Sequence, residues 1–315
     1  MRTLLLATSF SPAVGGMETL LYQTVRRLEE PPLVLTPRAT AAPRDVEVRG
    51  VPTTLFERAA YRPLWRLHPS LYYFAAWLPT AVRAARHWRP QAVQVGHVYL
   101  APLGQLLARR LRVPLLVYVY GQEVWRGGAP MGLPRLDAHL RGRALRNADA
   151  VLSPGSFTSG LLDEWGVSRE RVVCVPYGAE PRPPSAPPSG TTVLSVARLV
   201  PRKGVDTIIR ALPRLPGVQY RVVGSGHEQA RLRRLAMAKG VDRRVTFAGR
   251  VDDARLAEEY QRCALFALPA RRTADGELEG YGLVYFEAAA WGRPVVAGRS
   301  GGEVDAVVDG ETGLL

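Results

Sequence analysis

The sequence predicts an α/β protein built from two doubly wound, Rossmann-like domains. Three observations carry that prediction. Short runs rich in Leu and β-branched residues alternate with longer amphipathic runs from residue 3 to residue 176. The stretch Ala179-Glu-Pro-Arg-Pro-Pro-Ser-Ala-Pro-Pro-Ser-Gly190 then interrupts the pattern, because so many prolines can continue neither a strand nor a helix. The alternation restarts at Thr192 and runs to residue 297. Regular strand–helix punctuation of this kind gives parallel sheets with helices on both faces.

In the first half, strands are expected over residues 3–7, 32–36, 92–95, 114–119, 150–153 and 172–176, with helices near 18–28, 71–86, 103–110 and 136–147. In the second half, strands are expected over 192–196, 218–223, 244–247, 264–268 and 294–297, with helices over 204–212, 228–238, 253–262 and 283–291. The expected division is a first domain over 1–180, a linker over 181–190 and a second domain over 191–315. In open sheets of this class, ligands sit at the carboxyl ends of the strands. Two such sheets facing one another would enclose a cleft.

Composition narrows the function classes. The 315 residues carry a formal net charge of +14, and Lys203 and Lys239 are the only lysines, so nearly all of that charge is Arg. A GC-rich genome explains this, and so does an anionic partner such as phosphate or acidic lipid. The arginines are scattered and no zinc spacing or RNA-binding motif accompanies them, which disfavours nucleic acid. The apolar run at Leu4-Leu5-Leu6 is too short for a signal peptide and reads as a first strand. Cys174 and Cys263 make no disulfide framework, so a reducing, cytoplasmic setting is expected. Peripheral contact with the inner face of the plasma membrane stays open. Residues 55–89 mix Phe56, Tyr61, Trp65, Tyr72, Tyr73, Phe74, Trp77 and Trp88 with six arginines, a mixture that suits an anionic lipid surface or an ordinary packed helix. Pro63, Pro69 and Pro79 are expected to break any long amphipathic helix there.

Several segments bear on chemistry. Glu279-Gly-Tyr-Gly-Leu-Val-Tyr-Phe-Glu287 places two carboxylates around a Gly-x-Gly turn that opens onto a helix. Backbone N–H groups gathered at a helix start suit a phosphate, and ionised carboxylates accept from hydroxyl groups. A capped helix with one exposed acid is the plain alternative. Gly15-Gly16 follows the first strand and opens a helix, as a phosphate cradle or a tight turn. Arg198 and Lys203 bracket the loop after strand 192–196, where they would neutralise a diphosphate or lie in solvent. Gly224-Ser225-Gly226 marks close backbone approach to a ligand or to a neighbouring loop. Tyr120-Gly121-Gln122-Glu123 follows a very apolar strand, and His97 ends the strand before it. Asp252-Asp253 reads as a helix cap. No metal-ligand spacing, no Asp-x-Asp pair between strands and no Gly-x-Ser-x-Gly elbow occurs, so no metal or cofactor is expected.

Taken in order, the Gly15-Gly16 loop, the Arg198…Lys203-Gly204 loop, the Gly224-Ser225-Gly226 turn, the Glu279…Glu287 pair, Ser300-Gly301-Gly302 and Asp309-Gly310-Glu311-Thr312-Gly313 resemble a family 4 retaining glycosyltransferase of GT-B architecture. The resemblance implies a nucleotide-sugar donor, UDP- or GDP-linked, and a glycan or lipid-linked acceptor entering from the first domain. It implies that Glu287 accepts the ribose hydroxyls and Glu279 those of the transferred hexose. Backbone N–H groups of Gly282 and Leu283 would hold the distal phosphate, Arg198 and Lys203 would neutralise the diphosphate, and Gly16 would approach it. Arg250 and Val251 would flank the base. Where the family often carries His-Gly, this chain has Tyr120-Gly121, so Tyr120 or His97 would serve that position. The resemblance also implies further helices beyond Leu315, so the second domain reads as incomplete. An epimerase of the same fold and a non-catalytic nucleotide-binding homologue are the competing readings.

Overall fold

The structure is a computed structural model that describes residues 1–10, 15–37, 46–50, 69–125, 134–182 and 190–315. The chain forms two compact units, Met1–Pro176 and Tyr177–Leu315. That division precedes the Pro-rich stretch, whose residues 183–189 lie outside the described residues.

The first unit is a wholly parallel sheet of β1 (Thr3–Leu6), β2 (Leu33–Thr36), β3 (Val48–Gly50), β4 (Ala92–Val95), β5 (Leu115–Tyr118), β6 (Ala150–Ser153) and β7 (Val172–Cys174), in the order β3-β2-β1-β4-β5-β6-β7. Its helices are α1 (Gly16–Val25), α2 (Pro69–Trp88), α3 (Ala101–Leu111), α4 (Pro134–Arg146) and α5 (Ser156–Asp163). The central strands read as unbroken apolar runs because helices cover both faces: all four residues of β1, β2 and β4 are buried. Strand order reverses between β1 and β4, so the ligand-binding switch point of this sheet lies at their carboxyl ends.

The second unit is a parallel sheet of β8 (Thr192–Val196), β9 (Gln219–Val223), β10 (Val245–Gly249), β11 (Leu265–Leu268), β12 (Val295–Ala297) and β13 (Gly313–Leu314), in the order β10-β9-β8-β11-β12-β13. Its helices are α6 (Val205–Ala211), α7 (Gln229–Ala238), α8 (Asp253–Arg262), α9 (Leu283–Ala290) and α10 (Glu303–Ala306). This is the dinucleotide-fold order, with its switch point between β8 and β11.

Four elements escape the sequence pattern. β3 is three residues with no apolar run, and α5 begins Ser-Phe-Thr-Ser-Gly, a composition that reads as loop. The very short α10 and β13 carry no period at all. One expectation is corrected. Pro69 and Pro79 do not break the helix: α2 runs unbroken for 20 residues with Pro69 at its start and Pro79 inside it. Proline at the first position costs nothing, because that N–H has no intrahelical partner. Interior Pro79 costs about 3 kcal/mol. Burial of Tyr72, Trp77, Ala81, Ala84 and Ala85 along one face offsets it. The same burial shows how the α2 part of the aromatic and basic segment is used: Trp77 is fully enclosed and the Trp88 indole N–H donates to the Thr3 carbonyl at 3.0 Å. Phe56, Tyr61, Trp65 and Pro63 lie outside the described residues. Among the described residues, no helix is long and apolar enough to cross a membrane.

Candidate functional site

The richest concentration of charge lies at the switch point of the second unit. β8 leaves the sheet as Ala197-Arg198-Leu199-Val200 and passes into a 3-10 turn, Pro201–Lys203, before α6. β11 leaves beside it and returns through residues 269–282 to α9. The two loops are tied together: the Arg271 backbone N–H donates to the Arg202 carbonyl at 2.8 Å, and the Arg271 guanidinium pairs with Asp206 at 2.9 Å.

That tie brings Lys203 and Glu279 together. The Lys203 ammonium donates to Glu279 Oε2, and Arg202 Nη1 reaches the same oxygen at 3.2 Å. Arg202 Nε also lies 3.6 Å from Glu277 Oε2. Glu279 and Arg202 are both buried. Burial alone would raise the Glu279 carboxyl, but Lys203 and Arg202 outweigh it and hold the group below the usual carboxylate range. Glu279 is therefore an anion at neutral pH, set between two cations.

Arg198 differs from its neighbours. It is exposed, and among the described residues its guanidinium has no hydrogen-bond or ion-pair partner. The loop that carries it rests on the Gly224-Ser225-Gly226 turn. Leu199 N–H donates to the Ser225 carbonyl at 3.0 Å, and Glu228 N–H to the Leu199 carbonyl at 3.2 Å. A Cβ at Gly224 would run into the Ala197 carbonyl, and one at Gly226 into that of Leu199. The loop is thus one close neighbour of this turn. Gly224 and Gly226 position Arg198.

Gly282 precedes α9 in the left-handed region, with φ 85°, a conformation that suits glycine. No side chain caps α9 and no acid stands in its first turn. The N–H groups of Leu283 and Val284 thus face forward with the positive end of the helix dipole behind them. The start of α9 is held by Tyr285, whose hydroxyl donates to the Leu268 carbonyl at 2.8 Å, and by Tyr281, whose hydroxyl donates to the Tyr177 carbonyl at 3.1 Å. Glu287 follows on α9, half-buried, and accepts from the Tyr260 hydroxyl at 2.7 Å. Burial raises the Glu287 carboxyl, the Tyr260 hydrogen bond lowers it, Asp253 raises it and Arg182 lowers it, with a net upward shift. Arg250 and Val251 follow β10. Arg250 is exposed, Val251 packs into the apolar cluster around Phe266 and Tyr285, and Asp252 caps α8 by accepting from Arg255 N–H at 2.8 Å.

The switch point of the first unit is built differently. Gly15 is extended and precedes α1, which starts at Gly16; a Cβ at Gly15 would overlap the Glu18 carboxylate, so this helix start already faces an acid. His97 stacks on Tyr99 at 4.8 Å, and its Nδ1 accepts from Tyr99 N–H at 3.5 Å. Burial, then the nearby Arg141 charge, lower its pKa to about 4. His97 is neutral at pH 7. The Tyr120 N–H donates to Glu123 Oε1 at 2.5 Å, and the Tyr120 hydroxyl is buried. The His97 ring therefore lacks the features of a proton acceptor poised near neutral pH. Among the described residues, no group of three His, Cys, Asp or Glu side chains is placed to hold a metal ion.

Two family models cover the chain between them. Residues 15–178 match the glycosyl transferase 4-like domain and residues 179–315 match the glycosyl transferases group 1. The chain belongs to the group 1, family 4 glycosyltransferases. Its two Rossmann-like domains are the GT-B architecture of that family. One relative is the GDP-mannose-dependent alpha-(1-6)-phosphatidylinositol monomannoside mannosyltransferase of Mycolicibacterium smegmatis, 42% identical over 144 residues, which cover 44% of this chain and 36% of the relative. The match thus spans about a third of that mannosyltransferase. The D-inositol 3-phosphate glycosyltransferase of Acidothermus cellulolyticus is 30% identical over 341 residues, covering 96% of this chain and 74% of the relative. Anabaena HepE in complex with UDP is similar in structure, with a TM-score of 0.76 over 100% of this chain and 85% of that one. At 22% identity this likeness shows the fold.

Three residues of this chain's second unit were not singled out from sequence. Arg202 had a visible signal, since it adjoins Lys203 in Pro-Arg-Lys-Gly and a 3-10 turn can aim both cations at one carboxylate. Tyr260 meets Glu287 from a different helix, and no local pattern announces that pairing. Glu303 is fully buried beside the Glu279 loop. Its Oε1 accepts from Ser300 N–H and Oγ at 2.6 Å, while Oε2 has no partner among the described residues.

Proposed function

We propose that this glycosyltransferase moves a hexosyl group from a UDP- or GDP-linked sugar to a glycan or lipid-linked acceptor, with retention of anomeric configuration. The observation that carries the reading is the convergence at the second switch point. Arg198, without a partner among the described residues, the Lys203–Glu279 pair and the uncapped start of α9 lie on two joined loops. In this reading the diphosphate takes Arg198, Lys203 and the N–H groups of Gly282 and Leu283. Glu279 accepts from the hexose, Glu287 accepts from the ribose, and Arg250 and Val251 flank the base. GDP-mannose dependence in the Mycolicibacterium relative makes GDP-mannose the first donor to assay.

The hard step is departure of the nucleoside diphosphate from the anomeric carbon. Fixed cations and a helix N-terminus stabilise charge that grows on that leaving group, and one such contact lowers the barrier by about 2.7–4 kcal/mol. This reading asks no proton transfer of His97, whose lowered pKa makes it a weak base. Retention then follows from same-face attack, with the departing phosphate taking the acceptor's proton. No cofactor enters the reading. Its setting is cytoplasmic, with peripheral contact at the inner membrane face for a lipid-linked acceptor. Isothermal calorimetry with UDP and GDP tests it. The intact protein is expected to bind one of them, and Glu287→Ala to weaken that binding by about tenfold or more. No binding of either nucleotide, or unchanged affinity in the variant, overturns the reading.

A further inference from the structure

We infer that Tyr260 is a positioning residue for ribose recognition, fixing the Glu287 carboxylate so that its remaining acceptor sites meet the vicinal hydroxyls of the donor nucleotide. This inference rests on the donor-site reading above and assigns that site a residue outside its loops.

The geometry is direct. The Tyr260 hydroxyl donates to Glu287 Oε2 at 2.7 Å. Tyr260 is 2% exposed, and its ring packs against Phe266 at 5.9 Å, so the hydroxyl has little freedom to leave. The helix that carries it is pinned at several points. Asp252 caps α8, and Glu259 takes both Arg221 and, at 3.1 Å, Arg255. Glu287 would otherwise be a carboxylate with free rotation about its last torsion. An ionised carboxylate offers about four acceptor sites. With Oε2 tied to Tyr260, the carboxylate plane is set before the ligand arrives, and less conformational entropy is lost on binding. Burial, then the Glu287 charge, hold the Tyr260 hydroxyl protonated well above its ordinary range, so at neutral pH it is always the donor in this pair.

Calorimetry with Tyr260→Phe tests the assignment, using whichever of UDP or GDP the wild type binds and the matching 2′,3′-dideoxy nucleotide. Phenylalanine keeps the ring and its packing, and a thermal melt checks the fold. Loss of one oriented hydrogen bond predicts a roughly 3- to 10-fold weaker affinity for the ribonucleotide. The dideoxy nucleotide is expected to bind wild type and variant equally, since it has no hydroxyl to sense the carboxylate. In a Glu287→Gln background, Tyr260→Phe is expected to weaken ribonucleotide binding by under 2-fold. Equal losses for both nucleotides overturn the inference and make Tyr260 a packing residue. Unchanged ribonucleotide affinity overturns it as well, while a loss in Glu287→Ala keeps the donor-site reading standing. If the wild type binds neither nucleotide, the donor-site reading itself fails and this inference falls with it.

Discussion

At the switch point of the first unit, the charged groups are consumed internally. Arg141 pairs with Asp137 at 2.8 Å, donates to the Glu123 carbonyl at 3.1 Å and lies over the rings of Tyr99 and Trp165 at 4.9 and 5.2 Å. Asp137 also accepts from Ser70 N–H at 2.7 Å. At the equivalent address in the second unit, two cations share one carboxylate, a third cation has no partner among the described residues, and a helix begins without a side-chain cap. Both sheets follow the same strand order through their switch points. The fold supplies the address in each case, and the side chains decide whether it is a structural knot or a site able to take an anion.

Glu279 and Asp137 are buried carboxylates that each hold an arginine, so matched variants can break this contrast. Glu279→Ala leaves Lys203 without its anion and Arg202 with only Glu277, 3.6 Å away, and Asp137→Ala removes the carboxylate paired with Arg141. Removing one partner of a buried pair costs about 3–5 kcal/mol. Both variants are expected to melt well below wild type. Only Glu279→Ala is expected to lower kcat/KM for transfer as well, by about 100-fold or more. If Asp137→Ala, assayed well below its melting point, loses as much activity as Glu279→Ala, the first switch point is chemically active and the contrast is wrong.

Arg198 sharpens the same comparison with a smaller effect. It makes no ion pair among the described residues, so Arg198→Ala is expected to leave the melting temperature unchanged. A charge-assisted hydrogen bond to a phosphate is worth about 1.5–3 kcal/mol, which predicts roughly 10- to 100-fold weaker nucleoside diphosphate binding by calorimetry. A nucleoside monophosphate should lose less. Lowered stability with intact binding would show that Arg198 is a structural residue.

The sequence displayed the scaffold because parallel strands buried on both faces read as apolar runs, and Leu4-Leu5-Leu6 or Leu115-Leu116-Val117 need no tertiary information. It displayed Arg198, Lys203, Glu279 and Gly282 because strand ends and helix starts are local. It could not display pairings across elements. The Tyr260–Glu287 hydrogen bond joins α8 to α9, and the resting of Leu199 on Ser225 joins two loops. His97 was visible as a residue, but the Arg141 charge that lowers its pKa and lies over Tyr99 comes from α4, far along the chain. Pro79 misled because its local cost is legible while the burial that offsets it is not.

Glu303 gives the finest probe of the contrast, since the first unit has a counterpart in Glu123. Each is a glutamate just past a strand end, Glu303 buried and Glu123 half-buried, and burial raises both carboxyls. Backbone N–H groups draw both back down, and Arg141 helps Glu123, whereas Glu279 pushes Glu303 further up. A carboxyl raised in the folded state binds its proton more tightly there than in the unfolded chain. Stability therefore falls as the pH rises from the ordinary glutamate value of 4.5 through the raised folded value. Glutamine cannot titrate, so Glu303→Gln removes that slope. In thermal melts from pH 4 to pH 8, the difference between Glu303→Gln and wild type is expected to move steadily in favour of the variant, by a few degrees in all. Glu123→Gln should show the same sign. A pH-independent difference at position 303 would mean that Glu303 ionises as readily in the folded protein as in the unfolded chain. Its free Oε2 would then have to be stabilised by an interaction absent from this geometry, and the crowding of acids assigned to the second switch point would be incorrect.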